Sequence, residues 1–146
     1  MNKDKQIKDL KNISITNIVL LLINILSLII FSIVLVYYNA KFIFGTSNID
    51  VLNAINNISL AEIIILFIIK VAAFILAIIS TIKASAIAKE NEKIKLFGLC
   101  LSFAIVEGIS LLLFWIPLIG IYIGTIPSFI LGIVVYSIAI HKTKEY

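Results

Sequence analysis

Four long apolar stretches, separated by short polar segments, dominate the chain. They cover residues 16–37, 61–82, 96–116 and 118–140. A helix needs about 20 consecutive apolar residues to cross a bilayer, and each stretch approaches or exceeds that length. The pattern therefore predicts an all-α protein, a single domain built as an integral membrane bundle of four transmembrane helices.

The connections between these spans differ in length and character. Only Pro117 separates the third span from the fourth, and proline disfavours helix in the residue before it, so a tight hairpin is expected. The longer connection, 39–60, contains Ser47 and Asp50 in the spacing of a helix capping box, although Asp replaces the usual Glu or Gln. This segment is either a short helix on the membrane surface or an ordered loop.

Composition strengthens the membrane assignment. The chain is 62% hydrophobic with a mean hydropathy of +1.17, whereas soluble domains are about 45–50% apolar. All 12 basic residues are lysines, dispersed along the chain and mostly flanking the apolar spans, so a nucleic-acid partner is not expected. Frequent Lys, Ile and Asn, which have A/T-rich codons, point to the plasma membrane of a low-GC bacterium.

The distribution of lysines predicts the orientation of the spans. Four lysines precede the first span, four lie between the second and third, and two follow the fourth. The connection between the first and second spans contains only Lys41, and the connection between the third and fourth spans contains no lysine. Because lysine is enriched in cytoplasmic segments, both termini are predicted to be cytoplasmic, and the first span is expected to remain uncleaved.

A cation and an anion lie within the apolar spans. Lys70 is nine residues from the predicted outer end of the second span, and Glu107 is nine residues from that of the third. At 1.5 Å per residue both lie roughly 13–14 Å deep. Because an unpaired charge at mid-membrane costs about 2.5–3.5 kcal/mol or more, the two are predicted to pair across neighbouring antiparallel helices. The pair is either ionised and hydrogen-bonded or, after transfer of a proton, neutral on both sides.

Small residues mark the expected packing faces. Ala77 and Thr81 share the helix face of Lys70, and on the fourth span Gly120, Gly124, Ser128 and Gly132 recur every four residues. Small residues let transmembrane helices approach closely, so these positions are predicted to face other helices.

Each span also offers a polar group near mid-membrane. The full predicted intramembrane site comprises Asn24, Ser27, Lys70, Glu107, Thr125 and Ser128. Pro127 is expected to interrupt the fourth helix, with Thr125 and Ser128 bonding to the carbonyl groups it frees. The set is interpreted either as a structural clasp that fixes helix register or as a substrate or proton pathway.

Sequence motifs for catalysis or cofactor binding are missing. There is no H-E-x-x-H, G-x-S-x-G, P-loop or C-x-x-C pattern, and one Cys with one His makes neither a disulfide framework nor a zinc site. The layout is similar in size to small multidrug-resistance transporters. Those proteins carry a key Glu in the first helix, whereas the first span here has none.

The sequence thus predicts a non-enzymatic membrane component without a cofactor. Its expected role is accessory, assembly or regulatory, exerted through helix–helix contacts with copies of itself or with another membrane protein. The lipid bilayer is its expected surrounding. The alternative is a small oligomeric transporter or channel that uses the pair Lys70 and Glu107.

Overall fold

The computed structural model describes residues 3–44, 49–90, 96–116 and 119–144. It contains four α-helices: α1 (Lys3–Phe44), α2 (Ile49–Glu90), α3 (Phe97–Leu113) and α4 (Ile119–Lys144). No strand occurs in these residues, so the predicted all-α class is confirmed. By length and composition, α1, α2 and α4 are able to cross a membrane, and α3 is a shorter apolar helix of 17 residues.

The four helices form a ring in which each helix packs against two neighbours. The contacting pairs are α1 with α2, α2 with α3, α3 with α4, and α4 with α1, and the diagonal pairs make no close contact in the described residues. Neighbours are antiparallel. On α1 and α4, for example, Asn17 is hydrogen-bonded to Tyr136 and Ser32 to Tyr122. The residue numbers therefore increase along α1 in the direction in which they decrease along α4.

The buried residues that line the interior of the ring repeat every seven residues along each helix. Buried positions on each helix alternate between spacings of three and four, which is the seam of a left-handed coiled coil. The seam is formed by Leu10, Ser14, Asn17, Leu21, Asn24 and Leu28 on α1, Leu66, Lys70, Ala73, Ala77, Ser80 and Ala84 on α2, Cys100, Phe103, Glu107 and Ser110 on α3, and Thr125, Ser128, Gly132, Val135 and Ala139 on α4.

Two helices are much longer than the predicted spans. α1 and α2 each have 42 residues, about 63 Å at 1.5 Å per residue. Residues 49–60 are helical and continue directly into the second span, so both predictions for them, a separate helix on the membrane surface and an ordered loop, are wrong. Neither Gly nor Pro occurs between 49 and 90, and nothing in the backbone chemistry stops that helix. The proposed cap Ser47 and hairpin residue Pro117 lie outside the described residues.

The fourth helix continues through its proline. α4 is unbroken from Ile119 to Lys144 with Pro127 inside it, so the expected interruption is wrong. The expected rescue of carbonyl groups is also wrong. The Ser128 hydroxyl donates a hydrogen bond to Glu107, and the Thr125 hydroxyl has no hydrogen-bond partner among the described residues. Packing on α1 and α3 holds the helix together despite the missing N–H.

Candidate functional site: a buried polar layer

The structure brings Lys70 and Glu107 together inside the bundle. Lys70 Nζ lies 3.7 Å from Glu107 Oε1, and the two side chains are 1% and 0% exposed. Both residues occupy seam positions, on α2 and α3 respectively, so the coiled-coil geometry aims them at the axis of the bundle rather than at lipid.

Two serines complete the surroundings of this ion pair. Lys70 Nζ donates a hydrogen bond to Ser110 Oγ, and Ser128 Oγ donates one to Glu107 Oε2. Each charged group therefore has its counter-ion and one neutral partner. Buried ions need such additional hydrogen bonds, because the desolvation of two charges is otherwise not offset by their attraction.

Two further polar residues reach the same level from α1 and α4. Asn24 and Thr125 are each 2% exposed. The antiparallel packing of α1 and α4 places them at this depth along the bundle axis. Asn24 lies between Leu21, which packs at Gly132, and Leu28, which packs in one cluster with Ile121, so it faces the part of α4 between Ile121 and Gly132. We call Asn24, Lys70, Glu107, Ser110, Thr125 and Ser128 the central polar layer.

The central polar layer contains oxygens that have no hydrogen-bond partner among the described residues. They are Asn24 Oδ1, Thr125 Oγ1 and Glu107 Oε1, and all three are buried. Ser27, also predicted as part of the site, is only half-buried and lies off the seam of α1. The predicted set is thus gathered except for Ser27, and Ser110 is the member that the sequence analysis left out.

Apolar layers close the central polar layer on both sides. Towards the termini, Leu21 and Phe103 pack where Gly132 leaves space. On the opposite side, a buried cluster is formed by Leu28, Leu66, Phe114 and Ile121. A small crevice of about 120 Å³ between α3 and α4 approaches the layer from the lipid side, and Ser110 and Gly124 lie in its wall.

The packing residues predicted from the sequence lie at helix contacts with one exception. A side chain at Gly124 would meet Ser110, one at Gly132 would meet Leu21 and Phe103, and one at Gly120 would meet the Leu113 carbonyl. Ala77 is fully buried. Thr81 is partly exposed, and its hydroxyl bonds within its own helix to the Ala77 carbonyl at 2.8 Å.

A second polar cluster, which the sequence analysis missed, lies nearer the termini. The Tyr136 hydroxyl accepts a hydrogen bond from Asn17 Nδ2 at 2.5 Å and lies 3.2 Å from Ser80 Oγ. Tyr136 also packs edge-on against Phe103, with ring centroids 5.1 Å apart. A usable signal existed, because Asn17 and Asn24 are seven residues apart, as are the seam positions of one helix.

Known proteins do not extend this picture. No family model matches the chain, and neither the curated proteins nor the solved structures compared with it include a match. Among the described residues, no group of three or more His, Cys, Asp or Glu side chains is arranged to hold a metal ion.

Proposed function

We propose that the protein is a four-span membrane component that acts through helix contacts, without enzymatic activity, as an accessory, assembly or regulatory subunit. The observation that carries the proposal is the closed setting of Lys70 and Glu107. Both charges are fully buried, satisfied mainly by each other and by serines, and covered by apolar layers. Such a pair fixes the register of the helices, a role known for buried polar groups in coiled coils.

Four spans are proposed although α3 has only 17 residues. A 17-residue helix is about 26 Å long, at the lower limit for crossing the hydrocarbon core. Connectivity supports the crossing. α3 is antiparallel to both α2 and α4, so it carries the chain from the end where α2 finishes to the opposite end, where α4 begins. We propose further that both termini are cytoplasmic and that the membrane is bacterial.

A surface for a partner is available where α1 and α2 project beyond the other two helices. Ser32 on α1 is level with Tyr122 on α4. From that level α1 continues for 12 residues to Phe44, whereas α4 begins only three residues away, at Ile119. The α1–α2 pair therefore projects about 13 Å further. Asn53, Asn56 and Asn57 are exposed there on α2, where polar contacts with a partner are available.

One observation favours the alternative, a small oligomeric transporter or channel. Three buried oxygens in the central polar layer, on Asn24, Thr125 and Glu107, have no hydrogen-bond partner in the described part of the chain. Unpartnered buried acceptors are places where water, a proton or a cation gains hydrogen bonds or ligands. Ionisable groups inside membranes also often mark pathways.

Reconstitution distinguishes the two functions. The purified protein is placed in liposomes, and proton and monovalent-cation flux are measured for the wild type and for the double variant Lys70→Met/Glu107→Gln. The accessory function predicts no flux above protein-free liposomes for either protein. It also predicts that cross-linking in native membranes, followed by mass spectrometry, identifies a recurrent membrane-protein partner. Flux in the wild type that the double variant loses would establish the alternative instead.

A further inference from the structure

A cavity opens between the first turns of α1 and the last turn of α4. Its volume is about 330 Å³, and its walls are formed by Asp4, Ile7, Lys8, Lys11 and Thr143. The four α1 residues occupy positions i, i+3, i+4 and i+7 and so share one face of the helix. Ile7 is buried and gives the cavity an apolar floor, while Lys8 is exposed and Lys11 partly exposed at its rim.

The cavity lies where the hydrocarbon core meets the headgroups. Lys11 is five residues before the apolar span that begins near Thr16, about 7.5 Å along the helix axis. Headgroup regions extend about 5–7 Å beyond the hydrocarbon core on each side. A lysine ammonium at this position therefore reaches the layer in which lipid phosphates lie.

Among the described residues, neither lysine of the cavity forms an ion pair with a carboxylate. At the same end of the bundle, Lys83 pairs with Asp9 at 3.0 Å, so the Asp9 carboxylate is engaged on the α1–α2 side. On the α1–α4 side, no carboxylate of the described residues lies within 4.0 Å of Lys8 or Lys11. Asp4 shares the cavity wall and opposes an anion, so the lining has two positive charges and one negative charge.

We propose that this cavity is a binding site for the headgroup of an anionic phospholipid. Lys8 and Lys11 bind the phosphodiester, and the apolar floor at Ile7 contacts the glycerol and the start of an acyl chain. Basic pockets between transmembrane helices bind anionic headgroups in this way. The site does not depend on the role of the central polar layer, nor on which side of the membrane holds the termini.

The test measures binding of phosphatidylglycerol by native mass spectrometry, with the full chain in a neutral detergent and phosphatidylcholine as the competing lipid. A lysine near an anionic surface contributes about 1 kcal/mol. Because 1.4 kcal/mol corresponds to a factor of ten, Lys8→Gln/Lys11→Gln should lower the affinity about 20- to 30-fold. Asp4→Asn should raise it about fivefold, a gain that misfolding does not produce.

Two matched lysines serve as controls. Lys41→Gln, at the other end of α1, should leave phosphatidylglycerol binding unchanged, and Lys144→Gln, at the same end but outside the cavity wall, should change it less than twofold. Equal losses for Lys144→Gln and Lys8→Gln would overturn the proposal, because they would indicate general attraction of an anionic lipid to a basic end. Tight binding of soluble glycerol phosphate or inorganic phosphate in place of the lipid would overturn its lipid part.

Discussion

At the scale of single residues, the ion pair accounts for a lysine in the middle of an apolar helix. Lys70 is accommodated because Glu107 lies 3.7 Å away and Ser110 accepts a further hydrogen bond. A buried pair is a weak source of net stability, but removing one partner leaves an uncompensated charge. The pair should therefore behave as a unit in mutagenesis.

A double-mutant cycle measures this coupling. Lys70→Met alone and Glu107→Gln alone should each lower the free energy of unfolding by about 3–5 kcal/mol, because each strands a buried charge. The combined variant should regain much of that loss, since the introduced amide oxygen still accepts from Ser128 and no charge remains. Thermal unfolding in detergent measures the stability of the wild type, the two single variants and the double variant. Strictly additive losses would mean that the two side chains do not interact.

The second residue-scale prediction concerns the cluster around Tyr136. Tyr136→Phe removes the acceptor of the Asn17 amide and the partner of Ser80, and it keeps the aromatic packing on Phe103. Stability should fall by about 1–3 kcal/mol, the cost of leaving a buried polar group unpaired. Tyr37→Phe is the matched control, because Tyr37 is 59% exposed. Similar unfolding temperatures for the two variants would contradict the buried cluster.

The central polar layer and the cluster around Tyr136 differ in how far the sequence predicts them. The Lys70–Glu107 pair was found from the sequence, because two opposite charges in apolar segments at equal depth have few alternatives to pairing. Tyr136 and Ser80 were not found, because neither is unusual in a transmembrane helix. Their neighbour Asn17 lies near the end of the first predicted span, where a polar residue attracts no notice.

At the scale of helices, the seven-residue seam explains where polar and small residues occur. Lipid-facing positions are as apolar as core positions, so the periodicity of hydrophobic residues disappears in a membrane bundle. What remains visible is the reverse pattern, with Asn, Ser, Lys, Glu and Gly on the seam. The helix ends were also missed, because polar turns extend α1 and α2 well past the apolar residues.

Glycines on different faces should respond differently to alanine. Gly124→Ala places a Cβ 2.7 Å from Ser110 Oγ and 3.0 Å from the Ser110 carbonyl oxygen, so α3 and α4 must separate. Stability should fall by about 1–3 kcal/mol, as in other overpacked cores. Gly98→Ala meets no atom of the described residues within 4 Å, and the better helix propensity of alanine should keep or raise stability, by up to about 1 kcal/mol. Thermal unfolding of both variants tests this. Equal changes in stability would mean that the α4 glycines Gly120, Gly124 and Gly132 face lipid rather than other helices.

At the scale of the whole molecule, charge and shape are both asymmetric along the bundle axis. One end combines the chain termini, the lysines of the first turns of α1 and the cavity beside Thr143. The other end has the projecting α1–α2 pair, with aromatic side chains such as Tyr37 and Trp115 exposed near it. Because lysine is enriched on the cytoplasmic side, we expect the end with the chain termini to be cytoplasmic, whereas aromatic residues are enriched at both interfaces.

Cysteine labelling tests that direction. Lys41→Cys and Lys144→Cys place exposed thiols at opposite ends of the bundle, and the native Cys100 is fully buried and should stay unreactive. With cytoplasmic termini, a membrane-impermeant maleimide should label Lys41→Cys in intact cells and Lys144→Cys only after permeabilisation. The wild type supplies the background from Cys100. Labelling in the reverse order would invert the orientation inferred from the lysine distribution. It would leave the pairing of Lys70 with Glu107 intact, because that contact depends only on the antiparallel packing of α2 and α3.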